Sequence, residues 1–127
     1  MIQSSTPSKP KILYVEDEVI VALDVAEGLA DELGFDVHVV HNLSAAQAKC
    51  DCTAFDFALL DMNLGNGERS IGLGLKLAQK GTHVVFASGY NRDEIDEIKS
   101  FQLVEKPFML RDIADAFAAM KTGDQPA

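Results

Sequence analysis

Five short apolar runs recur along the chain and carry its main structural signal. They are almost continuously apolar and do not alternate with polar residues, which is typical of strands buried on both faces of a sheet. The runs occupy residues 12–15, 37–40, 57–60, 84–87 and 103–104. We therefore predict five strands in the interior of the fold.

Segments with helical spacing lie between and after these runs. The first has an apolar residue at every third or fourth position, at Ile20, Leu23, Ala26, Ala30 and Leu33. This spacing predicts a helix that buries the face carrying these five side chains.

Four further helices follow the first. A capping box formed by Ser44 and Gln47 predicts the start of the second. Three leucines, at 73, 75 and 77, predict the third helix despite the glycines at 72 and 74. The fourth, around residues 93–100, has only two apolar anchors and should pack loosely, whereas residues 110–117 have clear helical spacing. Strand and helix alternate throughout, which predicts a doubly wound α/β domain with a parallel sheet and right-handed crossovers.

Length and charge limit the function. With 127 residues the chain has the size of one domain, which we place at residues 10–121, between disordered tails at 1–9 and 122–127. The formal net charge of −9 disfavours nucleic acid and anionic membranes as partners. No segment has the apolar length of a membrane span, and the first residues lack the pattern of a signal peptide, so we expect a cytoplasmic protein.

The two cysteines, Cys50 and Cys52, are too close in sequence to close a useful disulfide loop. Reduced thiols are the simplest interpretation. A zinc site with His38 and His41 is a weaker hypothesis, because structural zinc sites normally use wider ligand spacing.

Polar side chains follow four of the predicted strands. Glu16 and Asp17 follow the first, Asp61 the third, Ser88 the fourth and Lys106 the fifth. The carboxyl ends of parallel strands meet at one edge, where ligands bind in this fold class. Each residue alone also fits a helix cap or a turn. Together the acids favour a metal site, because clustered carboxylates repel one another unless a cation lies among them, and their hard oxygen ligands suit Mg²⁺.

Four sequence blocks resemble the signature blocks of response regulator receiver domains, in that family's order and spacing. They are ILYVEDE at residues 12–18, LLDMNL at 59–64, FASGY at 86–90 and VEKPF at 104–108. The resemblance spans about residues 10–121. It implies a flavodoxin-like, doubly wound parallel sheet of five strands in the order 2-1-3-4-5, with five helices.

The resemblance also implies a phosphorylation site. Asp61 would be the phosphoacceptor, attacking a phosphohistidine on a histidine kinase or phosphotransfer protein. Asp17 and Asp61 would bind Mg²⁺ directly, with the backbone carbonyl of Asn63 as a third ligand and Glu16 acting through water. Lys106 would bind phosphoryl oxygens.

Ser88 would bind the phosphoryl group as well, and it would report phosphorylation together with Tyr90. Many receivers carry a switching Tyr or Phe where this chain has Leu103, so we expect Leu103 to be core packing. Glu16 replaces the more usual Asp, and Ser88 stands where Thr is frequent. The resemblance further implies a cis peptide bond between Lys106 and Pro107.

The FASGY block and a glycine-containing loop at residues 63–70 resemble a subgroup of alphaproteobacterial single-domain receivers. A protein of this kind is not a classical enzyme, although it slowly hydrolyses its own acyl phosphate. It would signal by phosphorylation-dependent binding to a downstream protein, as a monomer or weak homodimer, without nucleic-acid or membrane partners.

Three alternatives stay open. A phosphatase or mutase with an aspartyl-phosphate intermediate uses nearly the same chemistry, but such enzymes place Asp-x-Asp after the first strand. A phosphate sink or a receiver-like scaffold is the second. A flavodoxin-type binding module is the third, although it needs backbone donors after the first strand, where this chain is acidic.

Overall fold

The computed structural model of the protein describes residues 9–65, 67–89 and 101–119. The described residues form five strands and four helices, each named here in chain order. They are β1 (Lys11–Val15), α1 (Val19–Asp31), β2 (Asp36–Val40), α2 (Leu43–Cys52), β3 (Phe57–Asp61), α3 (Ile71–Gln79), β4 (His83–Ser88), β5 (Gln102–Glu105) and α4 (Leu110–Ala119).

The five strands form one parallel sheet in the order β2-β1-β3-β4-β5. This confirms the predicted fold class and strand order. Each predicted apolar run lies inside one strand, and β3 is buried along its whole length. Such continuous burial explains why the runs do not alternate, since helices cover both faces of the sheet.

Two apolar clusters lie on the two faces of the sheet. On one face, α2 and α3 pack through Ala46, Leu73 and Leu77 against alternate strand residues such as Leu13. On the other face, α1 and α4 pack against the intervening strand residues. Successive side chains of a strand point to opposite faces of the sheet, so Ile12 and Tyr14 of β1 both lie on the face covered by α1 and α4.

The predicted buried face of α1 is partly wrong. Ala22 and Leu29 are fully buried, whereas Ile20 is 84% exposed and Leu23 is 63% exposed. The first turns of α1 are apolar nearly all around the helix, so the periodicity does not select one face there. The small side chain of Ala22 lets the helix approach the sheet, and this turns Ile20 and Leu23 outward.

The predicted start of α2 is also displaced. Asn42, not Ser44, is the N-cap, and its side chain accepts a hydrogen bond from the Ala45 amide at 2.8 Å. Asn is as good a cap as Ser, so the sequence offers two competing signals two residues apart. The third helix and the last one lie where they were predicted.

The predicted fourth helix, around residues 93–100, and nearly all of the two predicted tails lie outside the described residues. Within the described part of the chain, no helix has the length and apolar character needed to cross a membrane.

The two glycines of α3 give a test of its packing. A Cβ at Gly74 would collide with the ring of Phe86 and lie 3.2 Å from Leu60 Cδ1. Gly74→Ala should therefore lower the free energy of unfolding by about 1–3 kcal/mol. Gly72→Ala is the matched control, because a Cβ there meets no atom within 4 Å. It should be neutral or stabilising by about 0.4–1 kcal/mol in urea unfolding. Equal effects of the two substitutions would contradict the packing of α3 on the sheet.

Candidate functional site

Three acidic side chains meet at the carboxyl edge of the sheet. Glu16 follows β1 directly, Asp17 is the next residue, and Asp61 ends β3. Each offers a carboxylate oxygen, and the three oxygens lie within 4.8 Å of one another. The neighbouring strands β1 and β3 thus bring Asp61 together with two acids that lie 44 and 45 positions before it in the sequence.

The three acids differ in exposure. Glu16 is 1% exposed and Asp61 is 5% exposed, whereas Asp17 is open to solvent. The site is therefore closed to solvent on the side of Glu16 and Asp61 and open to solvent on the side of Asp17.

Lys106 reaches into this site from the end of β5. Its Nζ donates a hydrogen bond to Asp61 Oδ2 at 2.8 Å and forms an ion pair with Glu16 Oε1 at 3.2 Å. The Lys106 amide also donates to the Ser88 carbonyl at 2.9 Å, which fixes the backbone of the lysine beside β4. The Lys106–Pro107 peptide bond is cis, as predicted.

A tight loop follows β3 and lies against Asp17. The Asn63 amide donates to Asp61 Oδ1 at 3.3 Å, so the two carboxylate oxygens of Asp61 have different partners. Gly65 has a φ of +80°, a backbone conformation that residues with a side chain rarely adopt. A Cβ at Gly65 would lie 3.4 Å from Asp17 Oδ2, so glycine keeps this approach open.

Ser88 and Leu103 lie on neighbouring strands, and their predicted partner Tyr90 lies outside the described residues. Ser88 is 2% exposed and ends β4 at the same edge as Asp61. Leu103 is partly buried and packs against the cluster on the α2 and α3 face. The predicted phosphoryl-binding and switch roles of these residues stay predictions.

Comparison of the whole fold with solved structures gives strong matches. SdrG from Sphingomonas melonis Fr1 is 31% identical, with a TM-score of 0.76 over 91% of this chain and 99% of that chain. A CheY-like response regulator receiver domain from Methylobacillus flagellatus is 24% identical, with a TM-score of 0.76 over 89% of this chain and 99% of that one. A response regulator receiver protein from Sinorhizobium medicae WSM419 is 22% identical, with a TM-score of 0.77 over 91% and 97%.

The chain belongs to the response regulator receiver domains. Comparison by sequence alone finds no matching family model and no matching curated protein. The four blocks that resemble receiver signatures lie at the ends of β1, β3, β4 and β5. In this receiver domain they contribute the three acids of the site and Lys106.

The electrostatics of the receiver site are set by burial and by the paired carboxylates. Burial, and after it the Asp61 charge, raise the pKa of Glu16 from the usual 4.5 to about 7, because together they outweigh the Glu18 amide and Lys106, which lower it. Burial acts to lower the pKa of Lys106, but its hydrogen bond to Asp61 and the two carboxylate charges outweigh burial and raise it. Lys106 therefore stays charged at neutral pH.

The donor set of the site fits a hard divalent cation. Three carboxylates face one lysine, so the site keeps an excess of negative charge. Glu16 Oε1 is buried without a hydrogen bond of normal geometry, although Lys106 lies at ion-pair distance. Carboxylate oxygens beside an open edge are what Mg²⁺ takes while keeping several waters. Among the residues that the structure describes, this is the one cluster of three potential metal ligands, and it includes neither cysteine.

Two side chains at the site were not predicted to belong there. His41 follows β2 at the same edge, and its Nδ1 lies 3.0 Å from the Glu16 carbonyl, which it contacts as a donor. Tyr14 lies on β1 below the acids and is 1% exposed. The position of His41 after an apolar run is a signal that could have placed it at the edge. Tyr14 lies within an apolar run and gives no comparable signal.

The raised pKa of Glu16 predicts a pH dependence of stability in the absence of metal. Between about pH 4.5 and 7 the folded protein keeps the Glu16 proton that the unfolded chain has lost. The stability that Glu16 contributes is therefore full below this window and is lost as the pH rises through it. The side chain of Glu16→Gln does not titrate. In urea unfolding with a chelator, the free energy of unfolding of wild type minus that of Glu16→Gln should therefore decrease as the pH is raised from about 5 to about 7.5.

Glu16→Gln is itself the control, because acid effects elsewhere in the protein are common to both chains. Excess Mg²⁺ should oppose the trend by favouring the charged carboxylate. A stability difference that does not change with pH would contradict the raised pKa.

Proposed function

We propose that this receiver domain accepts a phosphoryl group on Asp61 in a Mg²⁺-dependent reaction with a histidine kinase or phosphotransfer protein. The observation that carries the proposal is the contact of Asp61 Oδ2 with Lys106 Nζ at 2.8 Å inside the cluster with Glu16 and Asp17. A lone structural carboxylate needs no such surroundings. A nucleophilic carboxylate that must approach a phosphoryl group needs cations on both sides of it.

Mg²⁺ would be held by the carboxylates of Asp17 and Asp61 and by the backbone carbonyl of Asn63, with Glu16 acting through a water. Its chemistry there would be to neutralise charge on the phosphoryl oxygens and align them with the acceptor. Exposed Asp17 marks the open side from which a cation and a donor can enter.

Asp61 then needs only to be positioned. The Asn63 amide holds Oδ1 and Lys106 holds Oδ2, so the carboxylate plane is fixed from two directions. One carboxylate oxygen forms a bond to phosphorus while the bond from phosphorus to the donor histidine nitrogen breaks, and the electron pair returns to the imidazole. The product is an acyl phosphate on Asp61 and a free histidine on the donor.

Lys106 would follow the negative charge. Its flexible ammonium can leave the Asp61 oxygen that becomes part of the acyl phosphate and bind a phosphoryl oxygen instead. Ser88, at the end of the adjacent strand, would bind another phosphoryl oxygen. The acyl phosphate would hydrolyse slowly in water, so the domain would switch itself off without being a classical enzyme.

The signal would leave through protein contacts. Movement of Ser88 toward the phosphoryl group would pull on the chain beyond β4, where Tyr90 follows, and change the affinity for a downstream protein. Leu103 would take no part in gating, because its side chain packs against the core.

The first test removes the acceptor. Asp61→Asn keeps the size of the side chain but loses the nucleophilic charge, so labelling by acetyl phosphate should fall below detection. Wild type should be labelled only with Mg²⁺ present, and the label should be lost in alkali, as an acyl phosphate is. Asp56→Asn is a control at the amino edge of the sheet, where Asp56 accepts from the Lys11 amide. Undiminished, alkali-stable labelling of Asp61→Asn would disprove the assignment.

The second test removes one of the proposed metal ligands. Asp17→Ala leaves the site with two carboxylates in place of three, so its Mg²⁺ affinity should fall by about tenfold or more and labelling should slow at limiting Mg²⁺. Asp31→Asn, at the other end of α1, controls for the general loss of an acid. Isothermal titration with Mg²⁺ measures the effect. An unchanged affinity would mean that Asp17 is no ligand.

A further inference from the structure

Tyr14 is a buried polar side chain that the proposed reaction does not use. It is 1% exposed, and its hydroxyl has no hydrogen-bond partner of normal geometry. A phenol buried in a core usually finds an acceptor, because an unpaired hydroxyl loses its contacts with water and gains none in return. The surroundings of Tyr14 therefore call for a specific explanation.

Glu16 is the acceptor that the geometry offers. Tyr14 and Glu16 are two residues apart at the end of β1, so both side chains leave the strand on the same face. Glu16 is as deeply buried as Tyr14, and its Oε1 likewise has no hydrogen bond of normal geometry. The Tyr14 hydroxyl, a donor, and Glu16 Oε1, an acceptor, are thus both buried on the same face of the strand end without a hydrogen bond of normal geometry.

Tyr14 is the donor toward a charged Glu16. Burial raises its pKa, and the nearby charges of Glu16 and Asp61 raise it further, so the phenol keeps its proton at neutral pH. The hydroxyl lies within reach of the Glu16 carboxylate, and a weak side-chain hydrogen bond to Glu16 is among the smaller causes that raise the pKa of Tyr14. This contact does not have normal hydrogen-bond geometry in the state in which Lys106 is paired with Glu16 Oε1.

Lys106 at present supplies the main contact to Glu16. Its Nζ lies 3.2 Å from Oε1 and 3.5 Å from Oε2, and the Glu18 amide donates to Oε2 at 3.2 Å. If Lys106 moves to a phosphoryl oxygen, Oε1 loses its cation while the Glu18 amide stays on Oε2. Tyr14 is then the adjacent donor without a partner of its own.

We propose that Tyr14 is a positioning residue, whose hydroxyl donates to Glu16 when Lys106 turns to the phosphoryl group. The contact keeps the long Glu16 side chain directed at the metal-bound water, where a shorter Asp would need less guidance. The inference rests on the proposed function, because it requires Lys106 to change partners.

The test compares wild type with Tyr14→Phe, which keeps the ring and removes only the hydroxyl. Two states are measured: the Mg²⁺ affinity of the unphosphorylated protein, and the Mg²⁺ affinity in the presence of beryllofluoride, a phosphoryl mimic. Tyr14→Phe should change the Mg²⁺ affinity of the unphosphorylated protein by less than about twofold. It should weaken the Mg²⁺ affinity in beryllofluoride about three- to tenfold, as expected for one hydrogen bond to a charged group. The maximal rate of labelling by acetyl phosphate should fall by a similar factor, with little change in the half-saturating donor concentration.

The same pair is then measured in a Glu16→Ala background. If the hydroxyl acts through Glu16, Tyr14→Phe should have no effect there. Glu16→Asp is a second background, in which the shorter side chain should shrink the effect. Thr82→Val controls for the loss of a buried hydroxyl, because Thr82 donates to the Phe55 carbonyl at 2.9 Å at the opposite edge of the sheet.

The outcomes separate this inference from the proposed function. If wild type itself is not labelled on Asp61, the proposed function fails. The positioning role is overturned if wild type is labelled but Tyr14→Phe leaves the Mg²⁺ affinity with beryllofluoride unchanged, or lowers the Mg²⁺ affinity equally with and without beryllofluoride. It is also overturned if Tyr14→Phe lowers that affinity as much in the Glu16→Ala background as in wild type. Tyr14 is then a packing residue.

Discussion

The repulsion between the buried carboxylates of Glu16 and Asp61 is the constraint on which the rest of this site depends. Two such groups cannot both be charged in a dry environment without a cation beside them. Lys106 supplies one positive charge and contacts both acids, but Asp17 adds a third negative charge at the open side. Burial first, and the Asp61 charge second, raise the pKa of Glu16 although Lys106 contacts it and acts to lower that pKa. The proposed Mg²⁺ would complete the compensation of these negative charges.

The parallel sheet makes this arrangement possible. The charged groups come from the ends of three different strands, β1, β3 and β5, so no local segment could gather them. The pairing of β1 with β3 places Glu16 near Asp61, and the pairing of β4 with β5 brings Lys106 to the same edge. Apolar packing on both faces of the sheet therefore holds together groups that would repel one another in a flexible chain.

The strands and the convergence of the acids with Lys106 could be predicted from the sequence, because buried parallel strands and their polar ends leave strong patterns. The face of α1 could not, because its apolar residues surround the helix and only the close approach at Ala22 decides which side is buried. Asn42 and Ser44 offered equivalent caps, so local sequence could not choose between them. Tyr14 gave no signal, since an aromatic residue in an apolar strand looks like ordinary core. The position of the Tyr14 hydroxyl near Glu16 can be recognised only from the structure, which shows that Glu16 is buried as well.

The most direct measurement is a crystal structure of the protein with Mg²⁺ and beryllofluoride. We expect beryllium bonded to Asp61, Mg²⁺ on the carboxylates of Asp17 and Asp61 and the carbonyl of Asn63, and Lys106 moved from the carboxylate to a fluorine. Beryllofluoride bound elsewhere, or Mg²⁺ held without Asp17 and Asp61, would contradict it.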